Sequence, residues 1–171
     1  MTSDQLAHLA DARLRVLSLI VVDHPGVLER VSSQIRRRGF NIASLSVGPT
    51  TEGRSRMTVT VDAGHAEVDQ VAKQVDKLID VIEVRDITAI PTVQRELALA
   101  TVKVDGAARE RLVRAVDQYG GRVVDAGPEH VVFELAADPS RIDGFLELLH
   151  PYGLTELARS GPVAMRRNPA L

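Results

Sequence analysis

Asp23, Gly26 and Asn41 are the residues of this chain whose types and spacing suit chemistry at a small ligand. Asp23 opens the run Asp23-His24-Pro25-Gly26-Val27-Leu28, and Asn41 follows Arg38-Gly39-Phe40. A Pro-Gly pair after an apolar strand predicts a helix start. Proline fits the first helical turn, where its missing N–H has no partner, and Gly26 leaves the N–H groups of Gly26, Val27 and Leu28 open to a ligand. Such a turn can hold a small anion. If Asp23 faces the same opening, its carboxylate can pair with an ammonium, and the two groups together match a free amino-acid zwitterion. The plainer reading is that Asp23 or His24 caps a helix and Gly26 permits close packing. Asn41 shifts the balance. It is expected to start a strand beside the first one, near a dimer edge, where its amide can donate to a carboxylate and accept from an ammonium.

Other chemistry finds little support. The histidines His8, His24, His65, His130 and His150 are scattered, with no pair at helical ligand spacing. No glycine-rich phosphate loop or dinucleotide fingerprint follows a strand, and Gly120-Gly121 ends a helix instead of starting one. Arg36-Arg37-Arg38 is explained by cations complementing the negative end of a helix dipole. The chain has no cysteine, which excludes disulfides and thiolate chemistry. Its 21 basic and 23 acidic residues leave a net charge of −2, and aromatics make up 3%, so it lacks both the positive field and the stacking surface of a nucleic-acid binder. The longest apolar stretch, Leu19 to Val22, is far short of a bilayer span. Met1 to Ala12 do not resemble a secretory signal, and a cytoplasmic location is the expectation.

Hydrophobic periodicity supplies the elements that must position the candidate residues. Leu14 to Val22 reads as a central strand with apolar residues on both faces. Val27, Leu28, Val31 and Ile35 fall on one helical stripe that ends at Gly39, and Ile42 to Val47 with Met57, Val59 and Val61 reads as a hairpin. A second helical stripe runs through Val68, Val71, Ala72, Val75, Leu78 and Ile79 and is followed by a strand, Val81 to Ile87. The same βαββαβ order then repeats, with strands at Leu97 to Val104, Val123-Val124, Val131 to Phe133 and Leu154 to Ala158. Leu112, Val113 and Val116 mark one helix of this repeat, and Ile142, Phe145, Leu146 and Leu149 the other. The expected fold class is α+β: two consecutive ferredoxin-like units, antiparallel sheets with helices on one face. The boundaries are an N-terminal extension over 1–12, a first unit over 13–88, a linker over 89–95 and a second unit over 96–171. Units this small leave sheet edges and faces uncovered, which argues for dimerisation.

With these elements in place, the chain resembles a known family. Leu17 to Leu28, Arg38 to Gly48 and Ser55-Arg56-Met57-Thr58-Val59 are similar to the ACT domain of the small, regulatory subunit of acetohydroxyacid synthase (acetolactate synthase). The similarity continues through Lys73 to Val81, Arg95 to Leu99 and Ala158-Arg159-Ser160-Gly161, spanning about Arg13 to Arg167. The Arg-Gly-aromatic-Asn segment and the Ser-Arg-Met strand are the specific features. The resemblance implies an ACT domain for effector binding and dimerisation, and a C-terminal ferredoxin-like domain that contacts the catalytic large subunit. It implies a homodimer, with no catalytic activity of its own, that activates this thiamine-diphosphate enzyme and confers feedback inhibition by valine or another branched-chain amino acid. Family effector positions fall on Asp23, Gly26, Val27, Leu28 and Asn41, and His24 and Ile42 complete the expected site. Many members carry Asn where Asp23 stands, and a fixed carboxylate there sharpens the demand for an ammonium. No metal or cofactor is expected on this chain; thiamine diphosphate, magnesium and FAD belong to the catalytic partner. The alternative is a free-standing ACT-type amino-acid sensor acting on another partner.

Overall fold

Alternation of apolar residues places strand β1, Leu14–Val22, at the centre of a four-stranded sheet. Leu17, Leu19 and Val21 are buried on one of its faces, while Val22 on the other is 38% exposed. We describe a computed structural model covering residues 14–37, 39–51, 53–62, 65–104 and 106–167. The expected N-terminal extension, Arg38 and Glu52 lie outside the described residues.

The chain divides into two units. One comprises the described residues up to Val93 together with those from Gly161 onward, and the other is Gln94–Ser160. In the first unit β1 is followed by helix α1 (Val27–Arg36), β2 (Asn41–Pro49), β3 (Arg54–Asp62), helix α2 (His65–Val75) and β4 (Val81–Asp86). The strand order is β2-β3-β1-β4, and all pairs are antiparallel. Val27, Val31 and Ile35 of α1 and Val68, Val71 and Val75 of α2 close over Leu17, Leu19, Val21, Met57, Val59 and Val61 as one apolar core. Completely burying a side chain of this size stabilises the fold by about 1.5–3 kcal/mol relative to leaving it exposed, so this layer is the main source of stability.

The second unit repeats the plan. Strand β5 (Thr92–Lys103) is followed by α3 (Gly106–Tyr119), β6 (Arg122–Ala126), β7 (His130–Ala137), α4 (Pro139–Leu149) and β8 (Leu154–Arg159), in the sheet order β6-β7-β5-β8. On β5, Ala98, Ala100 and Val102 are buried, and Ala100 stands opposite Phe133. A small residue facing a large one lets the Phe133 and Phe145 rings fill the space under the helices. Helix α4 begins at Asp138, whose carboxylate accepts the Arg141 N–H at 3.1 Å ahead of Pro139 in the first turn.

Several expectations need correction. A strand that was not expected, β9 (Val163–Arg166), lies in the compact unit that holds β1 to β4. There the Ala164 N–H donates to Thr58 Oγ1 at 3.3 Å, and the Ala164 side chain is buried. The turn into it requires glycine at position 161, where φ is +69° and an added Cβ would lie 2.7 Å from Ser44 Cβ. Part of the expected linker 89–95 is strand, since β5 starts at Thr92. Helix α2 stops at Val75, leaving Leu78 only partly buried and Ile79 95% exposed, outside the apolar stripe. Leu28 also leaves its stripe and is 44% exposed. Finally, β2 lies beside β3 and not beside β1.

Candidate functional site

Two backbone hydrogen bonds fix the end of β1. The Val22 N–H donates to Asp80 O at 2.9 Å, and the Asp23 N–H donates to Gly53 O at 3.0 Å. The chain then turns at Pro25-Gly26, with Gly26 at φ 90° and ψ −10°. That is the conformation of the third residue in a type II turn, which favours proline before it and glycine at the position itself. Pro25 therefore sits in the turn and not in the first helical turn, and α1 starts at Val27. Gly26 provides no side-chain cap to the helix start, and the first intrahelical bond runs from the Arg30 N–H to Gly26 O at 3.1 Å. The N–H groups of Val27, Leu28 and Glu29 thus have no intrahelical acceptor.

Around this opening Asp23 and Gly26 are exposed, the Val27 side chain is committed to the core, and Leu28 stands half in solvent. The Asp23 carboxylate has no partner among the described residues. Turn and helix start therefore present an unpaired carboxylate, free backbone donors and one exposed apolar side chain within six consecutive residues.

His24 has a different task. Its Nε2 donates to Asp80 Oδ1 at 2.7 Å and its Nδ1 donates to Pro25 O at 2.9 Å. Both partners are acceptors, so the imidazolium form, with two N–H donors, satisfies both. The Pro25 carbonyl, and after it the Asp80 carboxylate, hold the His24 pKa above its ordinary 6.5. Arg30 Nε reaches the second Asp80 oxygen at 2.7 Å, so Asp80, buried just ahead of β4, ties both the turn and the first turn of α1. Asp80 and Arg30 were missed as site residues. The only signal was an acidic residue closing the Leu78-Ile79-Asp80-Val81 segment. Because the folded-state pKa of His24 is raised, this tie contributes fully below pH 6.5 and is lost as pH rises through the folded value. We expect thermal stability to fall across that window in the native chain and the step to shrink in Asp80→Asn, which keeps only the Pro25 acceptor. Melting curves taken between about pH 6 and 9 check this, and an identical slope in the variant would contradict it.

Asn41 and Ile42 are not brought to this opening within one chain. Asn41 stands opposite Asp62, which in turn stands opposite Leu14 at the far end of β1. Eight residue steps of strand separate Leu14 from Val22, roughly 27 Å at about 3.4 Å per residue. Asn41 is exposed on the edge strand, whereas Ile42 packs against the core. Gly39 ends the α1 segment at φ +79°, its N–H donating to Arg36 O at 2.9 Å.

Elsewhere, a cavity of about 580 Å³ in the second unit is lined by Lys103, Val104, Ala108, Glu129, Pro151 and Tyr152. The ion pair among its described residues, Lys103 to Glu129 at 3.7 Å, is solvent-exposed, so they form a surface groove and no convergent polar site. Among the described residues no group of three or more His, Asp or Glu is placed to hold a metal ion. No helix among them is long and apolar enough to cross a membrane.

Comparison with known proteins agrees with this layout. A family model described as the small subunit of acetolactate synthase matches residues 95–168, and one described as an AHAS small subunit-like ACT domain matches residues 17–83. The acetolactate synthase small subunit of Mycolicibacterium smegmatis is 42% identical over 154 residues, covering 90% of this chain and 91% of its own. That of Aquifex aeolicus is 40% identical over 161 residues, covering 93% and 84%. The crystal structure of the small subunit from Thermotoga maritima superposes with a TM-score of 0.81 at 34% identity, over 92% of this chain and 99% of that one.

Proposed function

Because this chain belongs to the family of acetolactate synthase small subunits, we propose that it is the regulatory partner of a thiamine-diphosphate-dependent catalytic subunit. It raises the turnover of that subunit and confers feedback inhibition by valine or a related branched-chain amino acid. The observation that carries the effector reading is the uncapped helix start at Gly26, with the free Asp23 carboxylate beside it. Backbone N–H groups at the positive end of a helix take the ligand carboxylate, Asp23 takes the ammonium, and exposed Leu28 offers an apolar wall to a branched side chain.

Register supports a site shared between two copies. Strand β2 is the edge of its sheet, bonded to β3 on one side. It runs in the same direction as β1, with Asn41 at the Leu14 end and Pro49 at the Val22 end, because both strands are antiparallel to β3. Pairing of two β2 strands about a two-fold axis reverses the second copy. Its Asn41 then comes level with Pro49 of the first, at the end of the sheet where Asp23 meets Gly53. An exposed edge is also a surface that a stable protein has reason to cover.

We expect the purified chain to sediment as a dimer and to show no pyruvate condensation alone, while raising the rate of added catalytic subunit in a valine-sensitive way. Synthase activity of the chain by itself, or no effect on the partner's rate, would overturn the reading. Asn41→Ala removes one amide that bonds to charged groups, so valine affinity should fall about tenfold with activation retained. Titration of valine against the reconstituted enzyme measures both quantities.

A further inference from the structure

The Ser55-Arg56-Met57 strand is a specific segment of the sequence that the effector site does not use. Arg56 projects from β3 onto the sheet face opposite the helices, between Ile20 of β1 and Gly48 of β2. Its Nη1 donates to Ser18 Oγ at 2.9 Å, and Ser18 is itself buried. No carboxylate lies within ion-pair distance of this half-buried guanidinium among the described residues, and its other donors have no protein acceptor there. A buried or half-buried cation without a counter-charge is costly.

Strand β9 crosses this face and creates the cavity in front of the guanidinium. The cavity is about 120 Å³ and is lined by Ser18, Arg56, Glu83, Arg85, Met165 and Arg166 among others. Glu83 is already engaged by Arg85, leaving Arg56 uncompensated. The space is well below the 300 Å³ or more of drug-sized ligand pockets, so it suits a single polar group and not a nucleotide. The planar donor fork of arginine matches a carboxylate or phosphate group.

We propose that Arg56, with Arg85 and Arg166 around the same cavity under β9, forms a binding site for one oxyanion group, a carboxylate or a phosphate, separate from the amino-acid effector site. The oxyanion is either a free small anion or a carboxylate side chain of the catalytic subunit. The test follows the arginine Nε–H signals of the full chain by NMR while inorganic phosphate is added, with Arg56 identified by the signal lost in Arg56→Lys. A saturable shift at millimolar phosphate is expected for Arg56, and phosphate affinity, read in all three proteins from the Arg85 and Arg166 signals of the same cavity, should weaken at least tenfold in Arg56→Gln and less in Arg56→Lys, which keeps the charge but loses the fork. In the second arm, association with the catalytic subunit is measured for the native chain and Arg56→Gln. Association unchanged by the substitution, with saturable phosphate binding, assigns a free anion. Association weakened by the substitution, and by phosphate only in the native chain, assigns a carboxylate of the catalytic subunit. Phosphate shifts that are linear in the native chain, together with unchanged association of Arg56→Gln, would overturn the proposal. If Arg56→Gln does not fold, the native titration and Arg56→Lys decide. Valine binding should be the same in all three proteins, so failure of the effector reading and failure of this one give different results.

Discussion

Gly26→Asp should abolish valine inhibition at concentrations that saturate the native enzyme, while the variant still activates the catalytic subunit. The new carboxylate would stand where the ligand carboxylate meets the helix start, and it would itself occupy the open N–H groups. Losing charge-assisted hydrogen bonds costs roughly 1.5–3 kcal/mol, so affinity should fall between about tenfold and somewhat over a hundredfold before repulsion is added. The substitution has a second consequence that must be separated from the first. Gly26 lies at φ +90°, where any side chain is strained by about 1–2 kcal/mol, although the nearest atom to an added Cβ, Arg30 Nη2, is at an ordinary 3.9 Å. Gly26→Ala carries that strain without the charge. Both variants should therefore melt lower, Gly26→Asp by less because its carboxylate caps the helix start, and only Gly26→Asp should lose inhibition outright. Equal valine sensitivity in the two would place the effector carboxylate somewhere else. A coupling of roughly 1–3 kcal/mol between pocket and catalytic subunit is what this experiment removes.

Arg159→Met should destabilise the second unit by about 3–5 kcal/mol, a large share of the stability of so small a unit. Arg159 Nε and Nη2 grip the two oxygens of Glu96 at 2.7 and 2.8 Å, and its Nη1 reaches Asp143 Oδ1 at 2.8 Å. The Glu96 side chain is 4% exposed and that of Arg159 15%. Burial lifts the Asp143 carboxyl above its ordinary range, with Arg159 opposing. Removing the guanidinium leaves the Glu96 charge buried and unpaired, which is why the loss should far exceed the 0–1 kcal/mol of an exposed pair. Glu96→Gln added to Arg159→Met should recover part of it. Urea unfolding of the three proteins checks both statements. A loss under about 1 kcal/mol in the single variant would mean that the pair is solvated in solution.

The elements that were legible in the sequence are those held by long apolar periods. Leu17, Leu19 and Val21 alternate into the core, and Val27, Val31 and Ile35 repeat on one helical face, so β1 and α1 follow from local pattern. Leu28 and Ile79 fit the same helical spacing but stand outside it, because a period says nothing about where a helix ends or which of two adjacent positions turns to solvent. Pro25-Gly26 suits a helix start and a type II turn alike, and only the positive φ of Gly26 separates them. Strand β9 has four residues, too few for a period, and its place depends on partners distant in sequence, β5 for its ladder and Thr58, 106 residues away, for the Ala164 N–H. Asp80 was invisible for a similar reason, since its tie to His24 spans 56 residues. Of the candidate site, the turn was readable because its chemistry is local. The separation of Asn41 from that turn was not, since it depends on the register that β3 imposes, with β2 running in the direction of β1 and Asn41 level with Leu14.

The central claim is that the effector pocket joins the Asp23–Leu28 turn of one copy to Asn41 of another. Mixing the two damaged chains, Gly26→Asp and Asn41→Ala, tests it most directly. In a mixed dimer the Asn41→Ala chain supplies an intact turn and the Gly26→Asp chain supplies an intact Asn41, so one site is native and the other is doubly damaged. Random reassortment at equal concentrations makes about half the dimers mixed, hence about one quarter of all sites native. Calorimetric titration with valine should show binding of native affinity at about that fraction in the mixture, and none in either variant alone. Absence of native-affinity binding from a mixture shown to contain mixed dimers would contradict the shared site.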